Sequence, residues 1–374
     1  MIATETNGLR IAWSDGLAFT FHPLWLRERS FAPSNKDPAT GHRVQEAAFL
    51  PLDLTIESAA LLPNGRVNLH FSDGHGCAFG LDDLRSCIER PLPDDLVGPK
   101  QLWDAGLDSL PWHDFAALSD ERALLALLND LARLGLALVR GLPQQHDALQ
   151  QLTGLIGPIR QTNWGGIADV KSIANPGDLS MTGRALEPHV DNPYRLPGPG
   201  YIFLHCLENS AAGGESLAID GFNAATRLRT AAPDAFRVLT TMPVTFRYAP
   251  EDDDAILEHF GPLIELRSDG QLHRIRFHNR ADQVAVADSD SLSRYYAARR
   301  AFAELIWSDE SMLRFKLQPG EAYVVDNYRL LHGRTEIDLA TGSRHLRQCY
   351  MDRDIVSSRQ KVLRRRFGPV TGLG

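Results

Sequence analysis

The sequence of 374 residues is poor in cysteine, has no long apolar run and carries no excess of positive charge. Its four cysteines, Cys77, Cys87, Cys206 and Cys349, show no paired spacing. That excludes a disulfide framework and points to a reducing, cytoplasmic setting. No window approaches the ~18 apolar residues of a membrane span, so no membrane partner is expected. The opening segment MIATETNGLRIAW has no basic stretch leading into an apolar run, and no secretory signal is expected. Acidic residues outnumber basic ones by 47 to 39, a net charge of −8. Such a chain is a poor nucleic-acid binder. The one basic run, RQKVLRRR at 359–366, reads as a solvated C-terminal helix. Repeats and low-complexity segments are absent. What remains is ordinary globular material, 43% hydrophobic and 23% charged, enough for a sizeable core. At about 150 residues per domain, the length suggests two domains.

Residues 1–95 read as a small antiparallel β domain. Runs such as LRIAW, LAFTF and RVNLHF sit between turn signals, with hairpin dipeptides at Asp15-Gly16, Asn64-Gly65 and Asp73-Gly74. A Pro/Asp-rich linker, PLPDDLVGPKQLWDAG, follows. Residues 96–374 form the second domain. It begins with an amphipathic helix, with Ser119 as the expected N-cap, Leu124, Leu127, Leu128 and Leu131 on one face, and Gly135 at its end. From Tyr201 onward short strands alternate with loops, interrupted by a helix around 292–307. The pattern is mainly β with flanking helices. It predicts a jelly-roll, or double-stranded β-helix, catalytic domain.

The sharpest chemical signal is His189-Val190-Asp191. Alternate side chains of a strand share a face, so His189 and Asp191 can grip one metal ion. Far downstream, AYVVDNYRLLH reads as a strand and loop ending in His332. Two nearby ligands and a third on a later strand are the layout of the 2-His-1-carboxylate triad. That triad leaves one face of Fe(II) open for co-substrate and dioxygen. The following strand, SRHLRQCYMD, carries Arg344 and Arg347. A guanidinium fork suits the distal carboxylate of 2-oxoglutarate. Alternation puts the two arginines on opposite faces, so only one points into the barrel. These features read together as an Fe(II)/2-oxoglutarate-dependent oxygenase. A non-catalytic jelly-roll binding protein and a metal-dependent hydrolase are the readings from other classes.

The segments PHVDNPYRLPGPGYIFLHCLENSAAGGESLAIDGF, VVDNYRLLHGR and SRHLRQCYMDRDIVSSR resemble the γ-butyrobetaine hydroxylase-like branch of the taurine dioxygenase-like 2-oxoglutarate oxygenases. The resemblance extends to LWLRERS near the N-terminus. It implies Fe(II) on His189, Asp191 and His332, 2-oxoglutarate on Arg344, and Ser216 at the other end of the co-substrate. It also implies a small-molecule substrate with dioxygen, a homodimer, and ascorbate as reductant in vitro. A trimethylammonium group would sit in an aromatic cage, with Trp164 and Tyr350 at cage positions. Asn192 and Tyr194, beside the metal motif, belong to the same substrate group. The sequence departs from this branch twice. The zinc-binding cysteines of the N-terminal domain are absent, so His75 reads as a turn residue in SDGHG. Met181 stands where a tyrosine is usual and Asp178 where an asparagine is usual, with Arg184 as an added charge. These changes favour 2-(trimethylamino)ethylphosphonate, hydroxylated at carbon 1 in organophosphonate breakdown, over γ-butyrobetaine, hydroxylated to carnitine. Arg184 is then the candidate donor to the phosphonate.

Overall fold

The computed structural model describes residues 1–30, 32–89, 96–171, 182–250 and 254–368. The chain divides into two compact units, Met1–Pro93 and Asp94–Pro369.

In the first unit, strands Ile2–Glu5, Gly8–Ala12 and Ala18–Phe21 form one antiparallel sheet. Ile56–Leu61, Arg66–Phe71 and Gly76–Gly80 form another. All three expected hairpin dipeptides lie at strand connections. Their glycines, Gly16, Gly65 and Gly74, have φ of 92°, 74° and 77°, which only glycine adopts at little cost. Period-2 alternation buries Val67, Leu69 and Phe71 against Leu9, Ile11 and Leu84. Leu84 comes from a helix, Leu81–Glu89, that strand patterning alone does not anticipate. His75 is a turn residue, as expected. Its backbone N–H donates to Asp73 Oδ1, and its ring Nε2 lies 2.7 Å from Ser30 Oγ.

The second unit is built on two sheets. One has six strands in the order Trp112–Asp114, Leu136–Arg140, Ala322–Asp326, Tyr201–Asn209, Arg344–Met351 and Ile167–Lys171. The other has four: Leu186–His189, Leu330–Arg334, Ser216–Asp220 and Met312–Phe315. Alternation sorts the side chains. Leu136, Leu138, Ile202, Leu204, Tyr323, Val325 and Leu346 of the first sheet join Ala218 and Leu330 of the second in one core. The opposite faces pack on helices. Ala137, Val139, Tyr201, Phe203 and Val324 meet Leu124, Leu128 and Leu131 of helix Glu121–Leu134 and Val356 and Leu363 of helix Arg353–Phe367. Leu217, Ile219 and Leu331 meet helices Gly221–Ala231, Pro233–Thr241 and Ser289–Ile306. This is the expected double-stranded β-helix with flanking helices.

Two local expectations need correction. Helix Glu121–Leu134 is capped by Asp120, whose side chain accepts from the Arg122 N–H, and not by Ser119. Either side chain fits an N-cap, so sequence preference alone does not choose between adjacent candidates. Helix Arg353–Phe367 is not simply solvated, because Val356, Gln360 and Leu363 are buried. Two of its charges, Arg359 and Arg366, pair with Glu121. Among the described residues no helix is long and apolar enough to cross a membrane.

Candidate metal centre and substrate site

His189 ends strand Leu186–His189, and His332 is its direct cross-strand partner on Leu330–Arg334. Facing residues of an antiparallel pair hold their Cβ atoms close together. The two rings lie 4.5 Å apart between centroids. Asp191 lies beyond the strand end, so strand alternation does not orient it as the sequence suggested. A local clamp does so instead. Asn327, fully buried, accepts from the Asp191 N–H at 2.7 Å and donates to the Asp191 carbonyl at 2.9 Å. The next residue, Asn192, takes a left-handed φ of 47°, a conformation asparagine tolerates. The outcome is the predicted convergence. One ligand atom from each of His189, Asp191 and His332 lies within 4.8 Å of the others.

The donor set suits a divalent metal. His189 Nδ1 lies 2.7 Å from the Glu187 carbonyl, which only accepts, so Nδ1 donates there and Nε2 is the nitrogen that faces the triad. That Nε2 is 3.4 Å from Asp191 Oδ1, and His332 Nε2 is 3.7 Å from the same oxygen. Burial pulls His332 down to about 4, keeping it neutral and able to ligate. Burial opposes ionisation of Asp191, but His332, His189 and Tyr350 outweigh it and hold the carboxyl far below its usual range. His278 stands edge-on to His189, with ring centroids 4.9 Å apart, and its Nδ1 lies 2.7 Å from the Val190 carbonyl.

The pleat of strand Arg344–Met351 sends the two arginines to opposite faces. Arg344 is buried, and its Nε has no hydrogen-bond partner. Burial, with Arg334 nearby, lowers its guanidinium to about 10, so it stays charged at neutral pH. Arg347 turns to the other face, where it pairs with Asp169 at 3.2 Å and donates to the His146 carbonyl. Ser216 is buried and pairs across the sheet with Arg334 and Phe315. Arg334 Nη2 donates to the carbonyls of Thr182 and Arg184, each at 2.7 Å.

An aromatic group adjoins the triad. Tyr194 donates to Asn192 Oδ1 at 2.7 Å, and its ring stacks on Tyr248 with centroids 5.2 Å apart. Trp164, 42% exposed, meets Tyr248 edge-on at 5.3 Å. The Arg195 guanidinium stands 5.3 Å from the Trp164 ring centroid. Tyr350 donates its hydroxyl to Asp191 Oδ2 at 2.8 Å. Burial, with Asp191 beside it, keeps that phenol protonated. Arg184 is exposed. Asp178 and Met181 lie outside the described residues.

Sequence reasoning missed Asn327, Tyr248 and Gln348. Gln348 donates to Asp191 Oδ2 at 2.7 Å, and it was findable, being on the same strand face as Arg344 and Tyr350. Asn327 and Tyr248 reach the site through packing between distant segments, which leaves no local signal.

Residues 90–350 match the taurine catabolism dioxygenase TauD, TfdA family, and residues 2–85 match the γ-butyrobetaine hydroxylase-like N-terminal family. The chain belongs to this dioxygenase family. It is an iron- and 2-oxoglutarate-dependent dioxygenase. It is similar to a γ-butyrobetaine dioxygenase of Pseudomonas sp. (strain AK-1), 34% identical over 97% of this chain and 95% of that one. The human γ-butyrobetaine dioxygenase is 30% identical, covering 96% and 95%. A mitochondrial trimethyllysine dioxygenase of Rattus norvegicus is 30% identical, covering 92% and 82%. The fold of this dioxygenase resembles that of an asparagine oxygenase structure, with a TM-score of 0.50 and 17% identity over 68% of this chain and 84% of that one.

Proposed function

We propose that this dioxygenase hydroxylates a C–H bond of a small trimethylammonium zwitterion. In this reading His189, Asp191 and His332 hold Fe(II), Arg344 binds the distal carboxylate of 2-oxoglutarate, and Ser216 contacts its other end. The observation that carries the reading is the hydrogen-bonded run from the triad into the aromatic group. Asp191 accepts from Tyr350, and Asn192 accepts from Tyr194, which stacks on Tyr248. A quaternary ammonium has no N–H to donate, so aromatic faces are its natural partners. Arg195 already places a cation over Trp164. The names of the relatives agree, since γ-butyrobetaine and trimethyllysine both carry a trimethylammonium group.

Iron with 2-oxoglutarate and dioxygen supplies the oxidising power for an unactivated C–H bond. One oxygen atom enters the substrate as hydroxyl and the other enters succinate, with release of CO2. The chain supplies position and enclosure. Arg344 offers a buried, charged fork to the co-substrate, and the aromatic side chains fix the ammonium end so that one carbon faces the metal.

For the anionic end we favour 2-(trimethylamino)ethylphosphonate. A phosphonate carries up to two charges and asks for more cationic donors than a carboxylate. Arg184 is the candidate from the sequence. γ-Butyrobetaine is the alternative, favoured by the relatives named for it. Succinate formation with Fe(II), 2-oxoglutarate and ascorbate, run with each zwitterion, decides between them. Stimulation by the phosphonate alone supports our choice, and stimulation by γ-butyrobetaine alone makes the enzyme a carnitine-forming hydroxylase. Stimulation by neither rejects both substrates. We also propose a cytoplasmic homodimer. The four free thiols fit a reducing compartment, and a solution mass of one chain would reject the dimer.

A further inference from the structure

We propose that Arg195 is a positioning residue for the substrate's ammonium end, holding the Trp164 ring against the aromatic group. The inference rests on the reading that these aromatic side chains receive a trimethylammonium. Trp164 stands in a tight turn between Thr162 and Gly165. The Thr162 N–H donates to the Gly165 carbonyl and the Gly165 N–H to the Thr162 carbonyl, both at 3.0 Å. The Thr162 hydroxyl donates to the Gly165 carbonyl at 2.9 Å and accepts from the Trp164 N–H at 3.1 Å. These bonds hold the backbone of the turn and leave the indole to other contacts. Among the described residues its ring meets Tyr248, edge-on at 5.3 Å, and the Arg195 guanidinium, 5.3 Å from the ring centroid.

Arg195 reaches this turn from the segment that follows the metal motif. Its backbone N–H donates to the Asn192 carbonyl at 3.2 Å. Its Nη2 donates to Asn163 Oδ1, so one side chain grips two consecutive residues of the turn. Arg160 makes a second tie between the same segments. It pairs with Asp352 at 2.7 Å, and its Nη2 donates to the Pro197 carbonyl at 2.8 Å. The two arginines differ in one respect. Arg160 has a carboxylate, whereas Arg195 has none among the described residues, and its buried Nε has no hydrogen-bond partner. A carboxylate would draw the guanidinium away from the ring. Without one, the π face of Trp164 and the oxygen of Asn163 are its partners. A ring held in this way is ordered before the ligand arrives, so less freedom is lost on binding. Arg195 therefore acts on the ammonium end through Trp164, and its effect is the same whether or not the ligand carries an anion.

Calorimetric titration of the enzyme loaded with Mn(II) and 2-oxoglutarate tests this without turnover. The ligands are tetramethylammonium, which has no anion, and the two zwitterions. Arg195→Met should raise the Kd for tetramethylammonium ~10-fold, and that of any zwitterion the wild type binds by the same factor. Asn163→Ala, which frees the guanidinium from its anchor, should shift them in the same direction by less. Arg195→Lys, which keeps a charge near the ring but not the fork, should recover part of the loss. Affinity for 2-oxoglutarate should hold at the wild-type value in all three. A loss confined to the zwitterions would make Arg195 a partner of the anionic group and overturn the proposal. Unchanged affinities in Arg195→Met, or an equal loss of 2-oxoglutarate affinity, would overturn it too. Trp164→Ala separates this inference from the reading beneath it. If that variant binds tetramethylammonium as the wild type does, or the wild type binds none of the three ligands, the aromatic reading fails and this inference with it. If Trp164→Ala loses affinity and Arg195→Met does not, only the role of Arg195 falls.

Discussion

Arg344 brings a charge into the barrel, and its buried Nε has no protein partner. A co-substrate carboxylate would satisfy it, and charge-assisted hydrogen bonds of this kind contribute about 1.5–3 kcal/mol. Arg344→Ala should therefore raise the KM for 2-oxoglutarate ~10–100-fold. Arg347→Ala should leave that KM unchanged, because Arg347 faces Asp169 on the other side of the sheet. Steady-state kinetics on the two variants checks the assignment, and the reverse pattern would contradict it. At this scale the triad was legible because the residue types are chemically restrictive and His189 and His332 lie on facing strands. Gln348 was legible in principle, two residues from Tyr350 on the same pleat. The Asn327 clamp was not, because hydrogen bonds across 136 residues of sequence hold Asp191 in place.

Between elements, the strand Ser216–Asp220 is locked to the segment before Leu330–Arg334 by a fully buried ion pair. Arg329 Nη2 lies 2.7 Å from Asp220 Oδ2 and Nε lies 3.1 Å from Oδ1, with side chains 1% and 0% exposed. Asp220 also caps helix Gly221–Ala231 through the Phe222 and Asn223 N–H groups. Asp220→Ala strands the Arg329 charge and removes the cap. It should destabilise the fold by about 3–5 kcal/mol in chemical denaturation. A loss under about 1 kcal/mol, the range of exposed pairs, would mean the pair does not bear on stability.

A second element contact is pH-dependent. His113 on strand Trp112–Asp114 lies 3.1 Å from Asp130 on helix Glu121–Leu134. Burial works against ionisation of Asp130, but hydrogen bonds from His113 and Arg133 outweigh it and lower its pKa. A lowered carboxyl pKa contributes stability above the unfolded value of about 3.9. That contribution is lost as pH falls through the lowered folded value. Asp130→Asn should therefore melt below the wild type at neutral pH, with the gap closing in strong acid. A gap that widens on acidification would contradict the assigned shift. The strands and helices themselves were legible from periodicity and glycine turns. Helix Leu81–Glu89 and the Asp120 cap were not, because neighbouring polar residues offer equivalent local choices.

For the whole molecule, the two-sheet architecture follows from strand patterning. The identity of the substrate does not, because it depends on a few side chains from distant segments. Metal binding should couple to the stability of the second unit, since a ligand that binds only the folded state adds RT ln(1 + [L]/Kd). Mn(II) at a hundredfold excess over its Kd should add about 2.7 kcal/mol, visible as a raised Tm that EDTA reverses. No Tm response, or the same response in Asp191→Ala, would reject the triad as the binding site. The most direct test of the central claim is anaerobic visible absorption of the enzyme with Fe(II), before and after 2-oxoglutarate. The account predicts a charge-transfer band that needs both additions, disappears in Asp191→Ala and requires a higher 2-oxoglutarate concentration in Arg344→Ala. Absence of that band in the wild type, or its persistence in Asp191→Ala, would contradict an iron and 2-oxoglutarate site built on these residues.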